Sequence, residues 1–121
     1  MNVIVLVKQV PDTTEMQIDK ETGTLIRAGV PTIVNPDDLA AIEEALKMKD
    51  TYGAHIHVVT MGPKQAETMM RELIGMGVDD VTLISDRAFA GSDTWATSNT
   101  IAEALNSIDY DLILAGRQAI D

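Results

Sequence analysis

The chain has 121 residues, of which 45% are hydrophobic and only 3% aromatic, so it is long enough for one domain with an aliphatic core. The 19 acidic and 9 basic residues give a formal net charge of −10, which disfavours binding to nucleic acid or to anionic lipid. The absence of cysteine excludes disulfides, thiolate metal ligands and thiol catalysis. No apolar run has the length of a membrane span, and the first residues lack a signal-peptide pattern. We therefore expect an acidic, cytoplasmic globular domain without membrane insertion.

Four apolar runs predict the strands of a parallel sheet, because continuous hydrophobic runs are typical of strands covered on both faces. In chain order these runs are residues 3–7, 56–61, 81–84 and 112–115. Between the first run and the first helical pattern, the alternation of residues 16–18 and 24–27 predicts a β-hairpin insertion.

Three helical patterns separate the predicted strands. The first begins with Asn35 as N-cap and Pro36 in the first turn, and it ends at Gly53. The second spans about residues 64–74, and the third is capped by one of residues 92–93. Their apolar stripes predict buried faces made up of Leu39, Ile42, Leu46, Ala66, Met69, Met70, Leu73, Ile101, Ala104, Leu105 and Ile108.

The alternation of strands and helices predicts an α/β fold with a doubly wound, mostly parallel sheet and right-handed crossovers. We interpret residues 1–121 as a single α/β domain. No helical pattern follows the fourth strand to cover its face. We therefore expect the N-terminal part of a longer subunit, or a chain whose uncovered surface is supplied by a partner.

The predicted topology also indicates where a ligand binds, since open α/β sheets bind ligands beyond the carboxyl ends of their strands, where strand order reverses. If the second and third strands lie on one side of the first, the fourth lies on the other. The crevice then lies between residues 8–11 and residues 116–121, with residues 35–38 and 61–62 at its rim.

Each candidate at this crevice also has a simpler structural interpretation. Gly116 allows close approach to a ligand and Arg117 offers donors suited to phosphate, but a turn and a solvated charge explain both residues equally well. Residues 35–38 can be a helix start alone; if they face a nucleotide, their two carboxylates should meet ribose hydroxyls or the base, with Arg117 nearer the phosphates. His55 and His57 lie toward the other end of their strand, and we interpret them as structural.

Familiar catalytic and phosphate-binding motifs are missing from the sequence. Neither G-x-G-x-x-G after the first strand nor G-x-x-x-x-G-K-[ST] occurs, which argues against the Rossmann and P-loop readings. We identify no catalytic residue and no metal ligand.

Two longer motifs carry a family resemblance. Val7-Lys8-Gln9-Val10-Pro11-Asp12-Thr13 near the start and Gly116-Arg117-Gln118-Ala119-Ile120-Asp121 at the end, with Asn35-Pro36 and Met61-Gly62-Pro63 between them, resemble the beta subunit of electron transfer flavoproteins. The resemblance spans the whole chain in order and includes the hairpin insertion. The residues of the two motifs resemble those of the bifurcating group more closely than those of the mitochondrial group.

This resemblance implies an adenine nucleotide alpha hydrolase-like domain in a heterodimer with an alpha subunit. It further implies AMP as a structural ligand in ordinary members, or a second FAD that accepts hydride from NADH in bifurcating members. The expected redox partners are acyl-CoA dehydrogenases or other flavin- or quinone-linked proteins. Asp37 and Asp38 replace the Phe-Cys pair of the mitochondrial type.

The resemblance also implies a set of cofactor-binding positions: Leu6, Val7, Lys8, Asn35, Pro36, Asp37, Asp38, Met61, Gly62, Gly116, Arg117, Gln118, Ala119, Ile120 and Asp121. Two alternatives remain open. One is a stand-alone ATP- or AMP-binding sensor of the universal-stress type, although residues 116–119 lack the glycine-rich phosphate loop of that class. The other is a purely structural domain.

Overall fold

The computed structural model describes residues 1–11, 17–18, 25–26, 32–62, 66–84 and 94–117. The strands are β1 (Asn2–Val7), β2 (Gln9–Pro11), β3 (Gln17–Ile18), β4 (Leu25–Ile26), β5 (Thr32–Val34), β6 (His55–Met61), β7 (Asp80–Ile84) and β8 (Leu112–Ala115). The helices are α1 (Pro36–Tyr52), α2 (Glu67–Met76) and α3 (Thr94–Leu105).

The central sheet has four parallel strands in the order β7-β6-β1-β8. Hydrophobic side chains alternate along β1: Val3 and Val5 pack with residues of α1 and α2, whereas Ile4 packs with Leu105 of α3. Helices therefore cover both faces of the sheet, and the predicted doubly wound α/β fold is confirmed. As predicted, β6 and β7 lie on one side of β1 and β8 lies on the other, so the strand order reverses at β1.

The helices follow the predicted stripes. Ile42 and Ala45 of α1 are fully buried, and Gly53 ends α1 at a φ of 69°, where its N–H donates to the Lys49 carbonyl. Glycine suits this position because a Cβ disfavours the left-handed conformation. The predicted buried face of α2 is confirmed, and it comprises Ala66, Met69, Met70 and Leu73.

Some predicted helix ends need correction. Helix α2 continues to Met76, two residues beyond the predicted end. Ile108 lies beyond the end of α3, yet it packs against the cluster that contains Leu105. The predicted start near residue 64 and the predicted caps at residues 92–93 lie outside the described residues.

The predicted N-cap position of Asn35 is confirmed. Asn35 occupies the N-cap position of α1, but its side chain makes no capping hydrogen bond. Its amide instead bonds the carboxylate of Asp38, which is only 8% exposed. Leaving a buried carboxylate without donors costs more free energy than leaving an N–H at the start of a helix without an acceptor, because the charged group loses more hydration on burial.

Two antiparallel ribbons follow β1. The predicted hairpin is confirmed by the pairing of Gln17 with Ile26 and Ile18 with Leu25, while its turn lies outside the described residues. A second ribbon, in which β2 pairs with β5, was not predicted from the sequence. This ribbon returns the chain to the end of β1, where the Asn35 N–H donates to the Lys8 carbonyl at 2.8 Å. It thereby places the start of α1 beside the carboxyl end of β1.

Strand β8 is the least covered strand of the sheet. Leu112 is 38% exposed and Ile113 is 36% exposed, in agreement with the expectation that this strand is incompletely covered. Among the described helices, none combines the length and the apolar character needed to cross a membrane.

An ionic cluster joins three elements at the amino ends of the strands. The Asp79 carboxylate accepts hydrogen bonds from the Ile56 N–H and from Lys49 Nζ, each at 2.8 Å. Lys49 Nζ also donates to the Gly77 carbonyl at 2.7 Å. The bond from Ile56 and the contact with Lys49 lower the pKa of Asp79. This cluster ties α1 and β6 to the loop between α2 and β7.

The lowered pKa of Asp79 predicts how stability depends on pH. The folded pKa lies below the unfolded value, so ionised Asp79 stabilises the fold above the unfolded pKa, and this stabilisation is lost as pH falls through the folded pKa. We expect Asp79→Asn to reduce the free energy of unfolding near neutral pH and to flatten its decline in acid. Urea unfolding from pH 7 to pH 3 measures both effects. Asp109→Asn, at an exposed loop position, is the control, and equal acid slopes for the two variants would contradict the assignment.

Candidate functional site

A cavity of about 230 Å³ lies at the carboxyl ends of β1 and β8, where strand order reverses. Its walls come from β1, β6, β8, α1, α3 and the residues that follow β1 and β8. The lining residues are Leu6, Val7, Lys8, Asn35, Asp38, Val59, Ile101, Ala115, Gly116 and Arg117. The cavity therefore occupies the crevice that the predicted topology indicated.

Most of the described site candidates lie around this cavity. The structure brings together seven of them: Leu6, Val7, Lys8, Asn35, Asp38, Gly116 and Arg117. Pro36, Asp37, Met61 and Gly62 are not among the lining residues. Met61 ends β6, and the Gly62 N–H donates to the Ile84 carbonyl at 3.0 Å, which joins the ends of β6 and β7. Gln118, Ala119, Ile120 and Asp121 lie outside the described residues.

Three lining residues were not predicted as site residues: Val59, Ile101 and Ala115. Val59 and Ile101 belong to the apolar cluster between the sheet and α3. Ile101 was predicted only as a buried residue of the third helix. The apolar stripe of that helix, together with the strand order, would have placed Ile101 over the crevice and so identified it as a site residue.

The Asp38 carboxylate connects three segments of the cavity wall. One oxygen, Oδ2, accepts the Lys8 backbone N–H at 2.8 Å. The carboxylate also accepts the Gly116 backbone N–H and the side-chain amide of Asn35. Lys8 follows β1 and Gly116 follows β8, so one side chain of α1 holds the ends of two neighbouring strands.

Burial and hydrogen bonding act in opposite directions on Asp38. Burial raises the pKa of its carboxyl group, and the nearby charge of Asp37 adds to that rise. The hydrogen bonds from Lys8, Asn35 and Gly116 lower the pKa, but they do not cancel the effect of burial. The Asp38 carboxylate therefore loses hydration on burial, and hydrogen bonds from three donors in the cavity wall partly offset this loss.

Gly116 passes so close to α1 that no side chain fits. A Cβ at this position would collide with Asp38 Oδ1 and would lie 2.8 Å from the Asp37 carbonyl carbon and 2.9 Å from the Asp38 nitrogen. Two of these contacts are with backbone, which cannot rotate away. The glycine is therefore required for the close approach of the β8 end to the α1 start, and it is more than a turn residue.

Arg117 lies at the outer side of the cavity. Its side chain is 88% exposed, and its Nε lies 3.7 Å from Oδ2 of Asp37. A second, more open groove of about 560 Å³ runs between α1 and β8 and shares Ala115, Gly116 and Arg117 with the cavity. An exposed guanidinium at the junction of two concave surfaces can meet an anionic ligand without rearrangement of the core.

The two histidines lie away from the cavity and bond neighbouring strand β7. His55 Nε2 is 2.6 Å from Asp80 Oδ2, and His57 Nε2 is 2.6 Å from Thr82 Oγ1. Burial lowers the pKa of His57. Within the described ranges, no group of three or more His, Cys, Asp or Glu residues is arranged to hold a metal ion.

Comparisons with known proteins give a consistent family. Residues 22–121 match the profile described as the electron transfer flavoprotein domain. The whole chain is 57% identical to the electron transfer flavoprotein subunit beta of Clostridium acetobutylicum, of which it covers 47%. It is 56% identical to the caffeyl-CoA reductase-Etf complex subunit CarD of Acetobacterium woodii, with 47% of that protein covered. It is 48% identical to protein FixA of Rhizobium meliloti, with 43% covered. The chain thus spans just under half the length of these relatives.

The contacts of Gly116 predict that a methyl group at this position is destabilising. We expect Gly116→Ala to lower the free energy of unfolding by about 1–3 kcal/mol, because the backbone of α1 must shift to admit the Cβ. Chemical denaturation provides the measurement. Gly75→Ala is the matched control, since Gly75 lies in α2 with no atom near its Cβ position, and it should stabilise by about 0.5–1 kcal/mol. Similar effects of the two substitutions would contradict the close approach.

Proposed function

Because the chain belongs to the electron transfer flavoprotein beta-subunit family, we propose that it binds an adenine nucleotide in the cavity between β1 and β8 and serves electron transfer as a heterodimer with an alpha subunit. The observation that carries the proposal is the position of this cavity. It lies at the reversal of strand order, where α/β sheets of this class receive nucleotides. We propose no catalytic residue of the chain itself.

The residues around the cavity suit a nucleotide chemically. Leu6 and Ile101, both half-buried, supply apolar surface on which a planar ring can rest, and Arg117 supplies donors for a phosphate. Gly116 lets the chain after β8 lie directly against the start of α1, which brings Arg117 to the edge of the cavity. We include Pro36, Asp37, Met61, Gly62 and residues 118–121 in the proposed binding region because they neighbour these residues in sequence or follow β8.

We propose FAD as the nucleotide, as in the bifurcating group, with AMP as the ligand of an ordinary electron carrier. When bound, the flavin supplies the redox chemistry, since no side chain of the described site exchanges electrons. The chain's residues orient the flavin, and Arg117 favours negative charge near it. The support for FAD is the resemblance of the motifs around Lys8 and Gly116 to those of the bifurcating group.

The names of two relatives support the class of redox partner. One is a subunit of a caffeyl-CoA reductase-Etf complex, and another, 52% identical, is the acryloyl-CoA reductase electron transfer subunit gamma of Anaerotignum propionicum. We therefore propose a flavin-dependent acyl-CoA dehydrogenase or reductase as the partner that exchanges electrons with the heterodimer. We also propose that the complex is cytoplasmic.

Native mass spectrometry of the protein purified from its own cells tests this function. It reports the bound nucleotide and the partner subunit in one measurement. A heterodimer that carries two FAD supports the bifurcating type, and one FAD with one AMP indicates an ordinary electron carrier. A single chain that carries ATP, or no nucleotide at all, would contradict the proposal and favour a sensor or a structural domain.

Arg117 provides a residue-level test in the full-length heterodimer. We expect Arg117→Ala to weaken nucleotide binding about tenfold, because a charge-assisted hydrogen bond to phosphate contributes about 1.5–3 kcal/mol. Equilibrium dialysis measures the dissociation constant, and a redox titration measures the flavin potential. Arg71→Ala, an exposed arginine of α2 that pairs with Glu67, is the matched control. Unchanged affinity and potential in Arg117→Ala would show that Arg117 is only a surface charge.

A further inference from the structure

Asp38 carries a buried charge whose oxygens accept hydrogen bonds from the protein itself. Asp38 is 8% exposed, and its carboxylate accepts hydrogen bonds from the N–H groups of Lys8 and Gly116 and from the Asn35 side chain. Main-chain N–H groups at the carboxyl ends of strands and the start of a helix are a common place for a bound anion. In this chain, a carboxylate from α1 already occupies that place.

We propose that Asp38 is a positioning residue that acts as a built-in anion: its carboxylate holds the ends of β1 and β8 at the separation that forms the cavity. Two independent observations carry this assignment. The first is the set of donors from three separate segments that converge on one carboxylate. The second is the close contact of Gly116 with the backbone of Asp37 and Asp38, which shows that the end of β8 lies directly against the start of α1.

The role of Asp38 depends on charge and not only on volume. A neutral group of the same size accepts fewer hydrogen bonds, and an amide at this position directs its own N–H groups toward protein N–H donors. The cost of leaving main-chain donors unpaired in a buried place exceeds the cost of losing a few packing contacts. An ion of the same shape and charge should therefore replace the side chain, whereas a neutral molecule of the same shape should not.

Charged groups near Asp38 come from each segment that surrounds it. Asp37 lies on α1, Lys8 follows β1, and Arg117 follows β8. Arg117 is paired with Asp37 at 3.7 Å. Burial raises the pKa of Asp38, and the hydrogen bonds from the Lys8 N–H, the Asn35 amide and the Gly116 N–H lower it. The carboxylate is held chiefly by main-chain donors and by one neutral amide, which makes it a fixed part of the wall.

Chemical rescue of Asp38→Ala in the full-length protein, purified with its partner subunit, tests the proposal. The substitution removes the carboxylate and leaves its donors around an empty space. We expect a lower melting temperature and a nucleotide dissociation constant raised about tenfold or more, since a hydrogen-bonded buried charge is lost. Added formate should bind in the space and recover several degrees of melting temperature and most of the affinity.

Three controls make this experiment decisive. Formamide has the shape of formate without its charge, and it should recover neither property. Asp50→Ala removes an exposed carboxylate from the same helix and should not respond to formate. Asp38→Asn fills the space with a neutral amide, so it should bind nucleotide weakly and also fail to respond. If Asp38→Ala does not fold, Asp38→Asn alone decides, and wild-type affinity and stability in that variant would overturn the proposal.

The outcomes separate this proposal from the proposed function on which its effect on nucleotide affinity rests. Recovery of the melting temperature by formate, but not by formamide, supports the positioning role even if no nucleotide binds to the unsubstituted protein. Failure of the unsubstituted protein to bind any adenine nucleotide would overturn the proposed function alone. Equal recovery by formate and formamide, or equal formate effects on the unsubstituted protein and on Asp38→Ala, would overturn the positioning role.

Discussion

One carboxylate determines how the candidate site is assembled. Asp38 lies in the first turn of α1, yet its hydrogen bonds go to main-chain groups 30 and 78 positions away along the chain, after β1 and after β8. The sheet alone aligns these two strands, but it does not fix the course of the chain beyond them. The carboxylate provides that constraint, and Gly116 makes it possible because any side chain at that position would separate the segments. A cavity with a defined width follows from these two residues.

The β2–β5 ribbon helps to place α1 at the candidate site. Strands β2 and β5 pair so that the chain, after a long excursion from β1, returns to within hydrogen-bonding distance of its departure point at Lys8. Helix α1 then starts beside β1 instead of at a distance set by a loose loop. Ordering a long connection costs conformational entropy, and paired backbone at its two ends limits the freedom that α1 would otherwise have. The insertion is thus compatible with a precise site.

The architecture could be predicted from the sequence more accurately than the individual side-chain contacts could. The continuous apolar run of residues 3–7 identifies a buried parallel strand, and the stripe of α2 identifies its buried face, because both patterns reflect burial directly. The run of residues 112–115 also forms a parallel strand, but that strand stays largely exposed. Asn35 shows the limit of this reasoning: its type and position fit an N-cap, but a buried carboxylate nearby takes its amide. The β2–β5 ribbon was not predicted because strands of three residues are too short to show a periodicity. The role of Gly116 could not be predicted from the sequence, since a close approach of two backbone segments produces no sequence pattern.

The exposed strand β8 has a consequence for the behaviour of this chain in solution. Within the described sheet, β8 has one neighbour, β1, and its other edge presents unpaired main-chain groups beside the half-exposed Leu112 and Ile113. Such an edge can pair with the same edge of a second molecule, which is how soluble domains begin to aggregate. The net charge of −10 opposes that encounter through long-range repulsion between copies. Colloidal stability of the isolated chain therefore depends on ionic strength, because salt that shortens the Debye length removes the repulsion while it leaves the edge unchanged.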